Sequence, residues 1–141
     1  MKYILVLCIV LTSCKSSLKN ESDHNSFKEI HNESILIDTH NDILMKALDK
    51  GVMFDQDLTG KTHSDLDRWK KGGLDVQIFS VFSDGGVKNP YSIANSQMDI
   101  LDAVAARNSN KIIKVANVKE ILKVVKEKKI AAMFGVEGGH M

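Results

Sequence analysis

Residues 130–140 read IAAMFGVEGGH. An apolar run ends in a glutamate, two glycines and a histidine. A run of this kind, bounded by turn residues, predicts a strand buried on both faces. Two other stretches have the same shape. ILIDTHNDI, residues 35–43, opens with three aliphatics and finishes among polar residues. LDVQIFSVF, residues 74–82, is the next strong strand, broken by Ser83-Asp84-Gly85-Gly86. Segments with helical patterning separate the three. Strands joined by long helical crossovers pair in parallel, so the fold class is α/β.

The crossovers carry start and stop signals. ILMKALDK reads as a helix with Gly51 as its C-terminal stop. Residues 52–62 are loop-like. Ser64 or Asp65 caps a short helix over LDRWKK, and Gly72-Gly73 ends it. Asn89-Pro90 opens a long helix with an apolar stripe of Ile93, Ile100, Leu101 and Val104, closed by Asn108. KIIKVAN is a short extended segment. Asn117 caps the next helix, with Glu120 three residues on as a capping box requires. Val118, Ile121, Leu122 and Val125 form its expected buried face.

The chain starts MKYILVLCIVLTSCKSS. Lys2 is a short positive region, and residues 3–11 are an unbroken apolar run of nine. A bilayer span needs about 20, so the run reads as a secretory signal. Leu11-Thr12-Ser13-Cys14 resembles the bacterial lipobox, which implies cleavage before Cys14 and lipid attachment to it. The expected organisation is a signal peptide at 1–13, a lipidated cysteine with a polar tether at 14–33, and a domain at 34–141. The expected location is the bacterial cell envelope, exported and held to the membrane by lipid. Both cysteines lie in the first 14 residues, so the mature chain would have no disulfide. His24 and His31 fall in the polar segment and are assigned no role.

The formal net charge is +1, with lysines and arginines spread along the chain. That distribution argues against nucleic acid as a partner. Chemistry in parallel sheets gathers at the C-terminal ends of strands. His40 and Asp42 stand at such an end. In an extended segment, residues two apart point to the same side. An imidazole and a carboxylate placed so are a workable pair of ligands for a zinc-like cation. From spacing alone a capped turn is the better reading, because His, Asn and Asp all favour helix starts and His-x-Asp is short and common. Glu137 ends the third strand; a carboxylate buried there needs a cation, but taken alone a strand-ending glutamate before a glycine turn reads better as solvated. His63 and Asp65 form a second His-x-Asp, but they precede a short helix, and capping is the better reading. Asp84 reads as a turn residue. His140 stays unassigned. The glycine pair is not a phosphate loop, since no Gly-Lys-Ser/Thr follows.

The combination is more specific than its parts. IDTHNDI, SDLDRWKKGGLDVQIFSVF and IAAMFGVEGGH, in that order, resemble the membrane dipeptidase family, the renal-type dipeptidases. The resemblance implies a (β/α)8 TIM barrel of the amidohydrolase-like kind, of which this chain would be the incomplete N-terminal part. Such a barrel takes about 250 residues, against 141 here. It implies hydrolysis of dipeptides at a two-zinc centre, often with tolerance of a D-residue at the C-terminal position. Residue by residue, His40 and Asp42 match the ligands of one zinc, and Glu137 matches the carboxylate that bridges both. The family's remaining ligands lie beyond the matching blocks, so the 141-residue chain alone is expected to be inactive. The expected partners are a dipeptide substrate, which the resemblance implies, and the membrane through the lipid anchor; a homodimer is left open. Three other readings stay open. They are another metal-dependent amidohydrolase, a non-catalytic envelope lipoprotein, and an unrelated small α/β binding module.

Overall fold

The computed structural model describes residues 21–141. The expected signal peptide, Cys14 and the first part of the tether lie outside the described residues. The elements are α1 (Glu21–Glu33), β1 (Ile37–Asn41), α2 (Ile43–Lys50), α3 (Leu66–Lys71), β2 (Val76–Val81), α4 (Pro90–Arg107), β3 (Ile112–Lys114), α5 (Val118–Lys126) and β4 (Ile130–Val136). The strands form one sheet in the order β1-β2-β4-β3, and every pairing is parallel. The three strong strands are therefore neighbours, and the short β3 is added outside β4. This α/β arrangement is consistent with part of a TIM-barrel-like wall.

The central pair, β2 and β4, is in unbroken register from Val76↔Ala131 to Val81↔Val136. Helices α2, α3 and α4 cover its outer face. The core there joins Leu44, Leu66, Trp69, Phe79, Leu101 and Ile130. Phe54, Trp69 and Phe79 form an aromatic trio with ring centres 5.5–5.7 Å apart. Phe54 and Leu58 come from the stretch expected as plain loop, yet both are fully buried. The Leu66 amide donates to the Phe54 carbonyl at 2.7 Å, which ties that loop to the start of α3.

Three expectations need correction. First, among the described residues β1 has no strand on its outer side and is not buried on both faces. It lies at the sheet edge, and Ile35, Leu36 and Ile37 are 45%, 38% and 50% exposed. An aliphatic run reports apolar content; burial also needs a neighbour on each side. Second, the stripe expected on α5 is only partly covered. Val124 is buried, with Ile121 and Val125 packed beside it, while Val118 and Leu122 face solvent. Third, residues 21–33 of the expected tether are helical. Phe27 and Ile30 on α1 are exposed, so apolar burial does not hold it. His31, which the sequence assigns no role, places Nε2 2.9 Å from the Gly72 carbonyl at the end of α3.

The expected caps are present. Gly51 ends α2 in the left-handed conformation, φ +63°, with nothing within 4 Å of where a side chain would start. Gly51→Ala should therefore cost about 1 kcal/mol of stability, all of it backbone strain. Urea unfolding of the complete protein measures it; a cost near zero would refute the cap's role. Asn117 accepts from the Glu120 amide at 3.0 Å. The Glu120 carboxylate reaches one residue further back than a capping box does, to the Ala116 amide at 2.8 Å.

Candidate metal centre

The polar ends of β1 and β4 meet at the C-terminal edge of the sheet. The pairing of β1 with β2 is irregular between Asp38 and Asn41, where the chain prepares to turn into α2. The His40 amide donates to Asp38 Oδ1 at 3.1 Å, which shapes that turn. Asp42 occupies the N-cap position of α2 but makes no side-chain cap bond. Asn41 does that work: its Oδ1 accepts from the Ile43 amide at 3.0 Å, and its Nδ2 donates to Gln77 Oε1 at 3.2 Å. The Asp42 carboxylate is thereby left for His40, whose Nε2 is 3.3 Å from Asp42 Oδ1.

Glu137 arrives from the other side of β2. Its amide donates to the Val81 carbonyl at 3.0 Å, extending the ladder past β4. Its Oε2 lies 3.7 Å from His40 Nε2 and accepts from the Ser80 hydroxyl at 3.4 Å. Ser80 pairs with Gly135 across the sheet, and Glu137 is two residues beyond, on the same face. All three expected site side chains are about half exposed. A cleft of about 460 Å³ runs beside α2. Asn41, Asp42, Lys46, Lys50, Lys61 and His63 contribute to its lining, and it meets this cluster through Asp42.

The donor set can be tested against a zinc-like ion. Donors about 2.0–2.2 Å from a tetrahedral zinc are about 3.3–3.6 Å from one another. The His40–Asp42 separation falls in that range, and the His40–Glu137 separation lies just outside it. One imidazole nitrogen and two carboxylates also suit zinc chemically. The set therefore fits in kind, and in spacing for the His40–Asp42 pair. It is not a ready-made cage: among the described residues, no group of three or more His, Cys, Asp or Glu is arranged to hold an ion.

The second His-x-Asp is structural, as its place before a helix implied. Asp65 is 2% exposed. Its Oδ1 accepts from the Arg68 amide at 2.9 Å, and its Oδ2 accepts from Arg68 Nε at 2.7 Å and the Leu58 amide at 3.1 Å. Burial pushes its pKa up, but these donors outweigh burial and hold it below the usual carboxylate value. The His63 carbonyl accepts from the same guanidinium. Asp84 is exposed in the turn after β2. His140 does not join His40; its Nε2 lies 2.8 Å from the Ser83 carbonyl. Ser80 and Ser83 carried no signal in the sequence, because their partners are fixed by strand register, and Asn41 was not separable from Asp42 as the cap of α2.

Comparison with known proteins gives the family and the fold. The family model for membrane dipeptidases, peptidase family M19, matches residues 24–141. The match begins inside α1, ahead of the domain start expected at residue 34. Among solved structures, a dipeptidase of metallopeptidase family M19, named dipeptidase AC, superposes with a TM-score of 0.68 at 17% identity. It covers 75% of this chain and 36% of its own. An amidohydrolase from Pseudomonas aeruginosa superposes with a TM-score of 0.56 at 18% identity, over 80% of this chain and 29% of its own. At these identities the two likenesses show the fold alone. The chain spans about a third of the length of the structures it matches.

Proposed function

Because the chain belongs to the membrane dipeptidase family, peptidase family M19, we propose that the complete protein hydrolyses dipeptides with zinc held at the His40 cluster. The observation that carries the proposal is the meeting of His40 at the end of β1 and Asp42 just past it with Glu137 just past β4, at the chemical end of a parallel sheet. His40 and Asp42 would hold one ion, and Glu137 would bridge it to a second. Bound there, zinc would supply polarisation of the peptide carbonyl and an ionised water at neutral pH. This chain's residues supply position. Asn41 caps α2 in place of Asp42, Asp38 fixes the turn that carries His40, and Ser80 donates to the Glu137 carboxylate.

The test is hydrolysis by the complete native protein of dipeptides with L- and D-residues at the C-terminal position. N-acyl amino acids and lactones serve as competitors. Dipeptide turnover that a chelator abolishes and zinc restores is expected. Turnover of lactones or N-acyl amino acids alone would move the protein to another amidohydrolase activity. No turnover of any of them would favour the non-catalytic lipoprotein.

We also infer attachment to the bacterial envelope through lipid on Cys14, and assembly as a homodimer. Among the described residues, no helix is long and apolar enough to cross a membrane. The protein should sediment with membranes and be released by detergent but not by high salt. Release by salt alone would sink the lipid anchor.

A further inference from the structure

Glu137 leaves β4 on two glycines, which alone would let its carboxylate wander. The turn is fastened instead. His140 Nε2 lies 2.8 Å from the Ser83 carbonyl and 3.4 Å from its hydroxyl. A carbonyl oxygen only accepts, so Nε2 carries the proton and donates. Ser83 is 3% exposed and stands just past β2, so the anchor is a buried backbone group. The imidazole also packs on Gly138, which has φ +89°; a Cβ there would lie 2.8 Å from the ring. Residues 137–140 are thus tied to β2 at both ends, by Glu137 N–H to Val81 and by His140 to Ser83.

We infer that His140 is a positioning residue for Glu137: it closes the Gly138-Gly139 turn onto the end of β2 and holds the carboxylate beside His40. It is not itself a ligand through Nε2, whose proton faces Ser83. The inference rests on the reading of Glu137 as a metal ligand.

Calorimetry of zinc binding to the metal-free complete protein tests it. His140→Ala should weaken zinc binding about 10–100-fold, the range for losing a group that orients a ligand. His140→Gln, which keeps an N–H donor on a long side chain, should recover most of the loss. Gly138→Ala should weaken binding both by straining a backbone at φ +89° and by pushing the ring aside, and its effect should shrink in the His140→Ala background, where only the backbone strain remains. Glu137→Gln is the control for the underlying reading. If it leaves zinc binding unchanged, the ligand assignment fails. If Glu137→Gln weakens binding while His140→Ala stays within about twofold of the native protein, only the positioning role fails. Failure of His140→Gln to recover binding, or full additivity of the Gly138 and His140 changes, would overturn that role too.

Discussion

His40→Ala in the complete protein should lower kcat/KM for a dipeptide on the order of 10³-fold, about 4 kcal/mol of transition-state stabilisation. His40 Nε2 is the atom that both carboxylates approach, at 3.3 and 3.7 Å. Its removal takes the nitrogen donor from the proposed centre and leaves Asp42 and Glu137 without the group between them. Zinc content, measured after dialysis, should fall in parallel. Thermal stability of the metal-free form should hardly change, because the side chain is 57% exposed and belongs to no core cluster. An unchanged kcat/KM would mean that dipeptide turnover does not depend on His40, and the proposed centre would fail. A loss of activity matched by collapse of the metal-free fold would make His40 structural.

Asp65→Ala should cost about 3 kcal/mol of folding stability with no direct effect on the centre. Loss of a helix cap costs about 1 kcal/mol. Breaking a buried ion pair and leaving a buried amide unsatisfied add to that, within the 3–5 kcal/mol seen when one partner of such a pair is removed. Arg68 is about one-third exposed, so water screens its half of the pair and keeps the estimate at the lower end. Asp65→Asn should rescue little, because an amide N–H₂ placed at Oδ2 would face the Leu58 amide and Arg68 Nε, both donors. Denaturant unfolding of the complete protein reads the cost; a change under 1 kcal/mol would refute the network's importance.

The same residue sets an acid limit. Its folded pKa lies below 3.8, the ordinary value, so its contribution is fully present above that pH. The contribution is lost as pH falls from there through the folded pKa. Stability of Asp65→Ala should therefore depend less steeply on pH in that acid range. Some dependence should remain. Asp55 is also held below its usual range, chiefly by hydrogen bonds from Arg107, against burial, with Asn108 assisting. Identical acid slopes in the native protein and the variant would exclude Asp65 as a source.

How much could be read without coordinates depended on how far apart the partners stand in the chain. The caps at Asp65, Asn89 and Asn117 were legible because each bonds an amide three residues on. Gly51 was legible because its constraint is its own backbone angle. His40, Asp42 and Glu137 were legible as strand-end residues, and the family's blocks drew them together. Why Asp42 is left for His40 was not legible. Asn and Asp both cap helices, and only the α2 entry geometry gives that task to Asn41.

The sequence alone settled which segments are strands, which are helices apart from α1, where most of those helices begin, and that the strands run parallel. These follow from side-chain periodicity, turn residues and crossover length, which act over a few residues. Tertiary structure decided what lies beside what. The register of β2 against β4 puts Ser80 under Glu137 and Ser83 within reach of His140. The edge position of β1 exposes aliphatics that look like core. The docking of His31 on Gly72 holds a helix in a stretch whose composition suggests none. In each case the deciding energy is a contact between residues dozens of positions apart, and no local pattern encodes which of the available partners is met.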